Sequence, residues 1–310
     1  MLSAKLQNYL HLHFIIFVWG FTAILGELIS VEAIPLVWYR MLLASGFIYL
    51  YIKAKRISLT VSRKLFFTLF IAGVIIALHW ITFFAAIKVS NVSITLAMLS
   101  TGAFFTSILE PIFYKRRLIW YELLFGMLVI CGLYIIFNVE GDYVLGIIYA
   151  LCSAFLSAIF SLINGKIAQQ YNASMISFYE LLCGVAVITI YLMISTFFGK
   201  EFEGFTISFF QLSITDWIYM LILASVCTAY AFIGSVHVMK YLSPYTVMLT
   251  VNLEPVYGIA LAFLIFGDSE KMNPQFYYGA VLIFCTVILN GIFKNAKKRK
   301  RQSTLGNITK

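Results

Sequence analysis

Long apolar runs alternate with short polar breaks along almost the whole chain. A bilayer core about 30 Å thick takes ~20 apolar residues in helix. Ten segments reach that length: 9–30, 35–53, 65–87, 92–114, 121–138, 144–164, 174–198, 216–238, 244–266 and 274–294. Helices are expected, because hydrocarbon cannot satisfy an open backbone edge. The connections are short, the longest being the basic stretch 54–64 and the stretch 199–215 that follows Gly199. No inserted soluble domain is expected. The first run is too long for a cleavable signal peptide, and no small-residue cleavage site follows it, so it reads as a first span.

Composition agrees with this pattern. Of 310 residues, 62% are hydrophobic, 17% are aromatic and 11% are charged, with a mean hydropathy of +0.95. Soluble domains carry about 25% charged residues, so a water-facing surface cannot be built here. The pattern predicts an all-α integral membrane protein. The five cysteines, Cys131, Cys152, Cys183, Cys227 and Cys285, all fall inside apolar runs, without CxxC or framework spacing. A secreted disulfide scaffold is therefore excluded.

A net charge of +9 would suit nucleic-acid binding until the charges are placed. With the N-terminus in the cytoplasm, 18 Lys and Arg residues fall inside and 3 outside (Lys88, Lys200 and Lys271), with Arg40 left within a span. Most acids fall outside. This asymmetry predicts cytoplasmic N- and C-termini. The run KNAKKRKRQ, residues 294–302, leads into the tail 295–310, which is expected to touch anionic lipid headgroups. Membrane lipids are thus expected partners and nucleic acid is not.

An internal repeat appears within the ten spans. Residues 86–117 align without a gap on 238–269, placing Lys88 on Lys240. One inserted residue later, Gly126 falls on Gly279, and earlier Trp38-Tyr39-Arg40 falls on Phe178-Tyr179-Glu180. Each half then holds five spans, at 9–138 and 144–294. An odd number inserts the second copy upside down, which predicts two inverted five-helix repeats. That is an architecture of secondary transporters, whose site lies near the midplane between repeats.

Ten spans as five plus five, Trp19-Gly20 in span 1, Arg40 early in span 2 (PLVWYRMLLA), and Pro255 in span 9 followed by LAFLIFGD resemble the EamA-like family of the drug/metabolite transporter superfamily. The resemblance covers roughly residues 9–294. It implies a bacterial inner-membrane carrier, monomeric or homodimeric, exporting amino acids or related small metabolites. It also implies a central cavity lined by spans 1–4 and 6–9, with spans 5 and 10 peripheral. The first half departs from the family pattern. Ala103 stands where a span-4 proline is usual, and Lys115-Arg116 where a Gly-Glu pair is usual; the second half has Gly267-Asp268.

Ionisable residues inside a membrane are costly and mark function by default. Glu254 lies near the middle of span 9, beside Pro255, with Asn252 and Tyr257 close in sequence. It is a candidate substrate ligand or proton carrier. Arg40, about five residues into span 2, suits a bidentate carboxylate or phosphate, or a structural pair with Glu27 or Glu32. Glu180, its repeat mate, is expected to meet Lys166 or backbone termini. His79 has an unperturbed pKa suited to proton coupling, and Trp80 beside it suits stacking. Trp19, Tyr39, Tyr179 and Tyr230 each combine apolar area with a polar tip and suit cavity walls equally well as packing. Glu110 sits near the basic cluster at 115–117, where neutralisation is the simpler role.

No phosphate-binding loop, HExxH motif, acidic metal cluster or GxSxG elbow is present, so no cofactor, metal or enzyme activity is expected. Nor does any segment resemble a selectivity filter. The expected function is secondary transport of a small-molecule substrate by alternating access, with Glu254 and His79 as proton-coupling candidates. A facilitative uniporter or channel is the alternative, and an intramembrane enzyme or scaffold is the weaker reading.

Overall fold

A computed structural model describes residues 4–115, 120–139, 141–198, 204–242, 244–286, 288–289 and 292–293. The tail 295–310, Arg116 and Arg117 lie outside the described residues. The chain is helical: α1 (Ala4–Leu28), α2 (Ala33–Ala54), α3 (Arg63–Val89), α4 (Val92–Leu99), α5 (Gly102–Tyr114), α6 (Trp120–Val139), α7 (Val144–Ile167), α8 (Ala173–Phe198), α9 (Ile214–Ala224), α10 (Ala231–Val238), α11 (Pro244–Val251) and α12 (Glu254–Phe266). A further helix, α13, occupies 274–286. Among the described residues, eight stretches are long and apolar enough to cross a membrane. The fifth expected span is α6, where a shorter apolar core covers Leu124–Ile136. The tenth is α13, whose end falls partly outside the described residues. Exposed apolar side chains such as Leu50, Phe67, Ile112, Ile214, Leu264 and Tyr278 ring the bundle, as lipid contact requires.

Capping defines several helix starts. Ser62 accepts from the Leu65 amide at the start of α3, and Asn91 accepts from the Ile94 amide at the start of α4. Ser213 and Asp216 form a reciprocal capping box on α9, meeting two otherwise unmatched amides.

The halves interlock. α3 packs on α7 and α8, α2 on α8, and α1 on α12. Two glycine crossings permit this closeness. A Cβ on Gly184 would stand 3.0 Å from the Gly73 carbonyl oxygen, and one on Gly258 would stand 3.4 Å from that of Gly20. Small residues let membrane helices approach in this way. By contrast α6 and α13 lean on each other, at Gly132 and Gly279.

Polar ties join the halves at both ends of the bundle. At one end, the Ser30 amide and hydroxyl donate to the Asp216 carboxylate at 2.7 and 2.8 Å. There too, the buried Glu270 carboxylate accepts from the Val92 and Ser93 amides at 3.1 and 2.8 Å, capping α4 across the repeat boundary. At the other end, the Tyr179 hydroxyl donates to the Leu59 carbonyl at 2.7 Å. Back at the Ser30 end, its repeat mate Tyr39 donates to the Phe209 carbonyl at 3.3 Å. Each tyrosine thus holds the long connection of the opposite half, a reciprocity that supports the inverted-repeat alignment.

Three apolar stretches differ from the single helices expected. Residues 92–114 break at Ser100 and Thr101, and 244–266 break at Asn252 and Leu253. These are repeat-matched positions. Pro255 accounts for the second break, since it cannot donate to the preceding turn. The first lacks a proline. There the Ser100 and Thr101 hydroxyls turn back onto the Ala97 and Met98 carbonyls at 2.6 and 2.7 Å, competing with the helical ladder. The third stretch, 216–238, contains a π-turn over Ser225–Tyr230 between α9 and α10.

Candidate central cavity

The two helix breaks flank one cavity, and the π-turn stands behind its wall through the Arg40–Thr228 bond. Its walls include Trp19 and Thr22 of α1, Arg40 of α2, Ile76, His79, Trp80 and Phe83 of α3, and Leu99 of α4. Ser157, Phe160 and Ser161 of α7, Phe232 and Ser235 of α10, Met248 of α11 and Glu254 of α12 complete most of it. The cavity volume is about 90 Å³, well below the roughly 300–1,000 Å³ of ordinary small-molecule pockets. The walls are therefore drawn in, and a metabolite requires them to separate. A larger recess of about 640 Å³ lies on the opposite side of α3, lined by Ile81, Thr82 and Ala85 with Glu32 and Gln211. Its acid is exposed. Two buried residues of opposite charge, Arg40 and Glu254, line the central cavity, which makes it the better candidate for selective chemistry.

Arg40 is 2% exposed. Its Nε donates to Thr228 Oγ1 at 2.7 Å, and Thr228 in turn donates to the Leu223 carbonyl at 2.7 Å. The guanidinium carbon lies 3.9 Å from the Trp80 ring centroid. A desolvated cation over an indole face is stabilised by about 2 kcal/mol. One of its terminal nitrogens, Nη1, has no hydrogen-bond partner. Arg40 neither snorkels nor pairs with Glu27 or Glu32, as the sequence alone allowed. The π-turn instead presents Thr228 to it, and the neighbouring Cys227 carbonyl accepts from Trp19 Nε1 at 3.2 Å. Such bulges recur at functional sites.

His79 is held by α7. Its Nδ1 lies 2.9 Å from the Ser153 carbonyl and 2.7 Å from Ser153 Oγ, while that hydroxyl donates to the His79 carbonyl at 3.0 Å. A carbonyl only accepts, so Nδ1 carries the proton and Nε2 is the acceptor of the neutral ring. Glu254 begins α12 immediately after the break and is 6% exposed. Phe232 stands between two rings, edge-on to Trp80 at 5.7 Å and stacked on Phe160 at 5.6 Å.

Five of the sequence candidates, Trp19, Arg40, His79, Trp80 and Glu254, thus line one cavity. The others lie outside its lining. Tyr39 packs against Trp38, Phe209 and Trp217, and Tyr179 ties down Leu59. Tyr257 meets Phe17 edge-on at 5.6 Å. Asn252 is buried in the helix break, with Nδ2 unpartnered. Tyr230 is exposed and bonds to His11 Nε2 at 2.9 Å. Glu180 meets Asn164 rather than Lys166; the latter donates to the Phe113 carbonyl at 2.9 Å. Thr228 is a support residue that sequence reasoning did not single out, and the wall residues Ser157 and Ser161 read there only as small packing residues. Small hydroxyl residues in spans resemble packing residues until the cavity is seen.

A helical bundle with two matched broken helices around a charged central cavity is the build of a membrane transporter. Comparison with known families agrees. The EamA-like transporter family matches residues 9–138 and again 144–292. The chain belongs to that family, within the drug/metabolite transporter superfamily, and is not an enzyme. It is an integral membrane protein that moves small solutes. A solved crystal structure is similar with a TM-score of 0.66 and 13% sequence identity, over 93% of this chain and 97% of that one. At that identity the likeness concerns the fold. No curated protein gives a significant match.

Proposed function

We propose that the chain is a secondary carrier for amino acids or closely related zwitterions. The single observation behind this reading is that Arg40 of the first half and Glu254 of the second line the same aromatic-walled cavity. Opposite charges in one cavity match a carboxylate and an ammonium group, and Trp80, Phe83, Phe160 and Phe232 offer apolar area to a side chain. The unpartnered Arg40 Nη1 is the donor a substrate carboxylate would satisfy.

The repeats 9–138 and 144–294 are the units that rock. The small cavity and the ties at both ends fit a closed stage, from which either end opens as its ties release. Release at the Ser30 end breaks Ser30–Asp216 and the Glu270 cap. Release at the other end frees Leu59 from Tyr179. Glu254 carries a coupling proton, and His79 Nε2 is its second acceptor. Both termini face the cytoplasm of a bacterial inner membrane, in keeping with the Lys and Arg asymmetry. Export is the working direction, a reading that rests on the family.

Proteoliposomes loaded with unlabelled amino acid should accumulate labelled amino acid by counterflow, with saturation. An imposed pH gradient should raise the rate. Equal rates with and without the gradient, and no loss in Glu254→Gln, would remove proton coupling and leave facilitated exchange. Linear, unsaturable flux would instead mark a channel.

A further inference from the structure

A second polar cluster lies beside the central cavity, between α7 and α8. Asn164 Nδ2 donates to Glu180 Oε1 at 2.9 Å. Both residues are 0% exposed. The other acceptors of this pair, Glu180 Oε2 and Asn164 Oδ1, have no hydrogen-bond partner. Ser177 stands one turn before Glu180 on α8, and Ser161 one turn before Asn164 on α7; their hydroxyls are also buried and unpartnered. Ser161 reaches the cavity wall. The cluster therefore connects to the central cavity through a single helical turn.

Four unmet oxygens, one of them the carboxylate's own, pose a physical problem. An unpartnered buried acceptor costs about 1–3 kcal/mol, and more when charged. The nearest chemistry offers no relief. The nearby cation Lys166 is turned away to the Phe113 carbonyl and the Phe113 and Tyr114 rings. Where α3 crosses α8, Gly73 lies against the Glu180 backbone and Cys183, which contributes no cation. A proton on Glu180 Oε2 could at most pair that oxygen with Asn164 Oδ1, and would leave the Ser161 and Ser177 oxygens unmet. A small cation satisfies several oxygens at once and cancels the charge as well. The set is carboxylate, amide oxygen and hydroxyls, all hard oxygen donors. It holds a single acid, and no group of three or more His, Cys, Asp or Glu suited to a metal ion occurs among the described residues. One negative charge matches one positive charge.

We propose that Glu180, Asn164, Ser177 and Ser161 form a binding site for a monovalent cation, sodium, reached from the central cavity past Ser161. The site is separate from Arg40 and Glu254 and does not depend on the identity of the organic substrate. Its position between α7 and α8, both packed on α3 of the other half, lets an ion there bias how the halves sit together.

The test uses the purified full-length protein in detergent at constant pH and ionic strength. Sodium chloride should raise the thermal unfolding midpoint relative to potassium or choline chloride, saturably. Radioactive sodium should bind the wild-type protein, displaced by unlabelled sodium and not by potassium. Glu180→Gln should weaken that binding by roughly tenfold or more, about 1.4 kcal/mol, and Ser177→Ala by a smaller factor. Glu254→Gln should leave it unchanged, which separates this site from the proposed substrate site. Absence of sodium binding to the wild-type protein would overturn the proposal even if the variants fail to fold. So would sodium binding retained in Glu180→Gln, or stabilisation by acid pH with no response to sodium.

Discussion

The two broken helices offer a direct comparison. α4 and α5 in the first half, and α11 and α12 in the second, interrupt at matched positions, one at Ser100-Thr101 and the other at Asn252-Leu253. Beyond the break the halves diverge. The first continues with Gly102, packed against Met248 Cε at a would-be Cβ distance of 3.0 Å. The second continues with Glu254 and Pro255. The break therefore belongs to the shared architecture, whereas the acid was placed in only one copy. A symmetric scaffold carries an asymmetric site.

The sharpest way to break this comparison is to add the missing acid. Gly102→Glu should cost a few kcal/mol of stability, because a carboxylate would enter a packed wall without a cationic partner. Thermal unfolding or monodispersity in detergent would show it; wild-type stability would mean the first half also accommodates a charge. Next in size, Glu254→Gln should abolish the response to a pH gradient and lower driven counterflow by about tenfold, while the near-isosteric amide leaves folding intact. A gradient response equal to wild type would move coupling elsewhere. Arg40→Lys should reduce saturable transport severalfold, because an ammonium loses both the flat contact with Trp80 and the geometry of the Thr228 bond; a full wild-type rate would make the guanidinium's shape irrelevant. The smallest effects belong to the tyrosine ties. Tyr39→Phe and Tyr179→Phe should each lose about 1 kcal/mol or less, and similarly, since each removes one hydrogen bond from a repeat-matched position. A large disparity in unfolding midpoint would show that only one connection is held by its tyrosine.

Much of the membrane architecture was legible because it rests on short-range chemistry. Length, hydropathy and the grouping of Lys and Arg between apolar runs follow directly from residue order. The repeat was legible at Trp38-Tyr39-Arg40 and Phe178-Tyr179-Glu180, and the reciprocal bonds of Tyr39 and Tyr179 give that alignment a physical purpose. Those same tyrosines show where residue type misleads. A tyrosine in a span suits a cavity wall and a loop anchor equally well, and only the partner decides. Pro255 announced the second break, but Ser100 and Thr101 could not announce the first. Hydroxyls that bond to preceding carbonyls occur in unbroken helices too, as Thr250 does with the Thr246 carbonyl at 2.8 Å. The π-turn at Ser225–Tyr230 left no signal in composition at all.

Sequence by itself determined that this chain lies in a membrane, where its spans run, that its halves repeat, and that Arg40, Glu180 and Glu254 stand within apolar stretches. Those facts follow from the cost of exposing peptide and charge to hydrocarbon, which acts residue by residue. Tertiary structure decided which of these charges share a space. Arg40 and Glu254 are 214 positions apart in a chain of 310 residues, yet both face one cavity, while Glu180 turns to Asn164 on the neighbouring helix. Helix crossings at glycines and a π-turn set those partnerships, and such contacts depend on packing between distant segments, which no local pattern encodes.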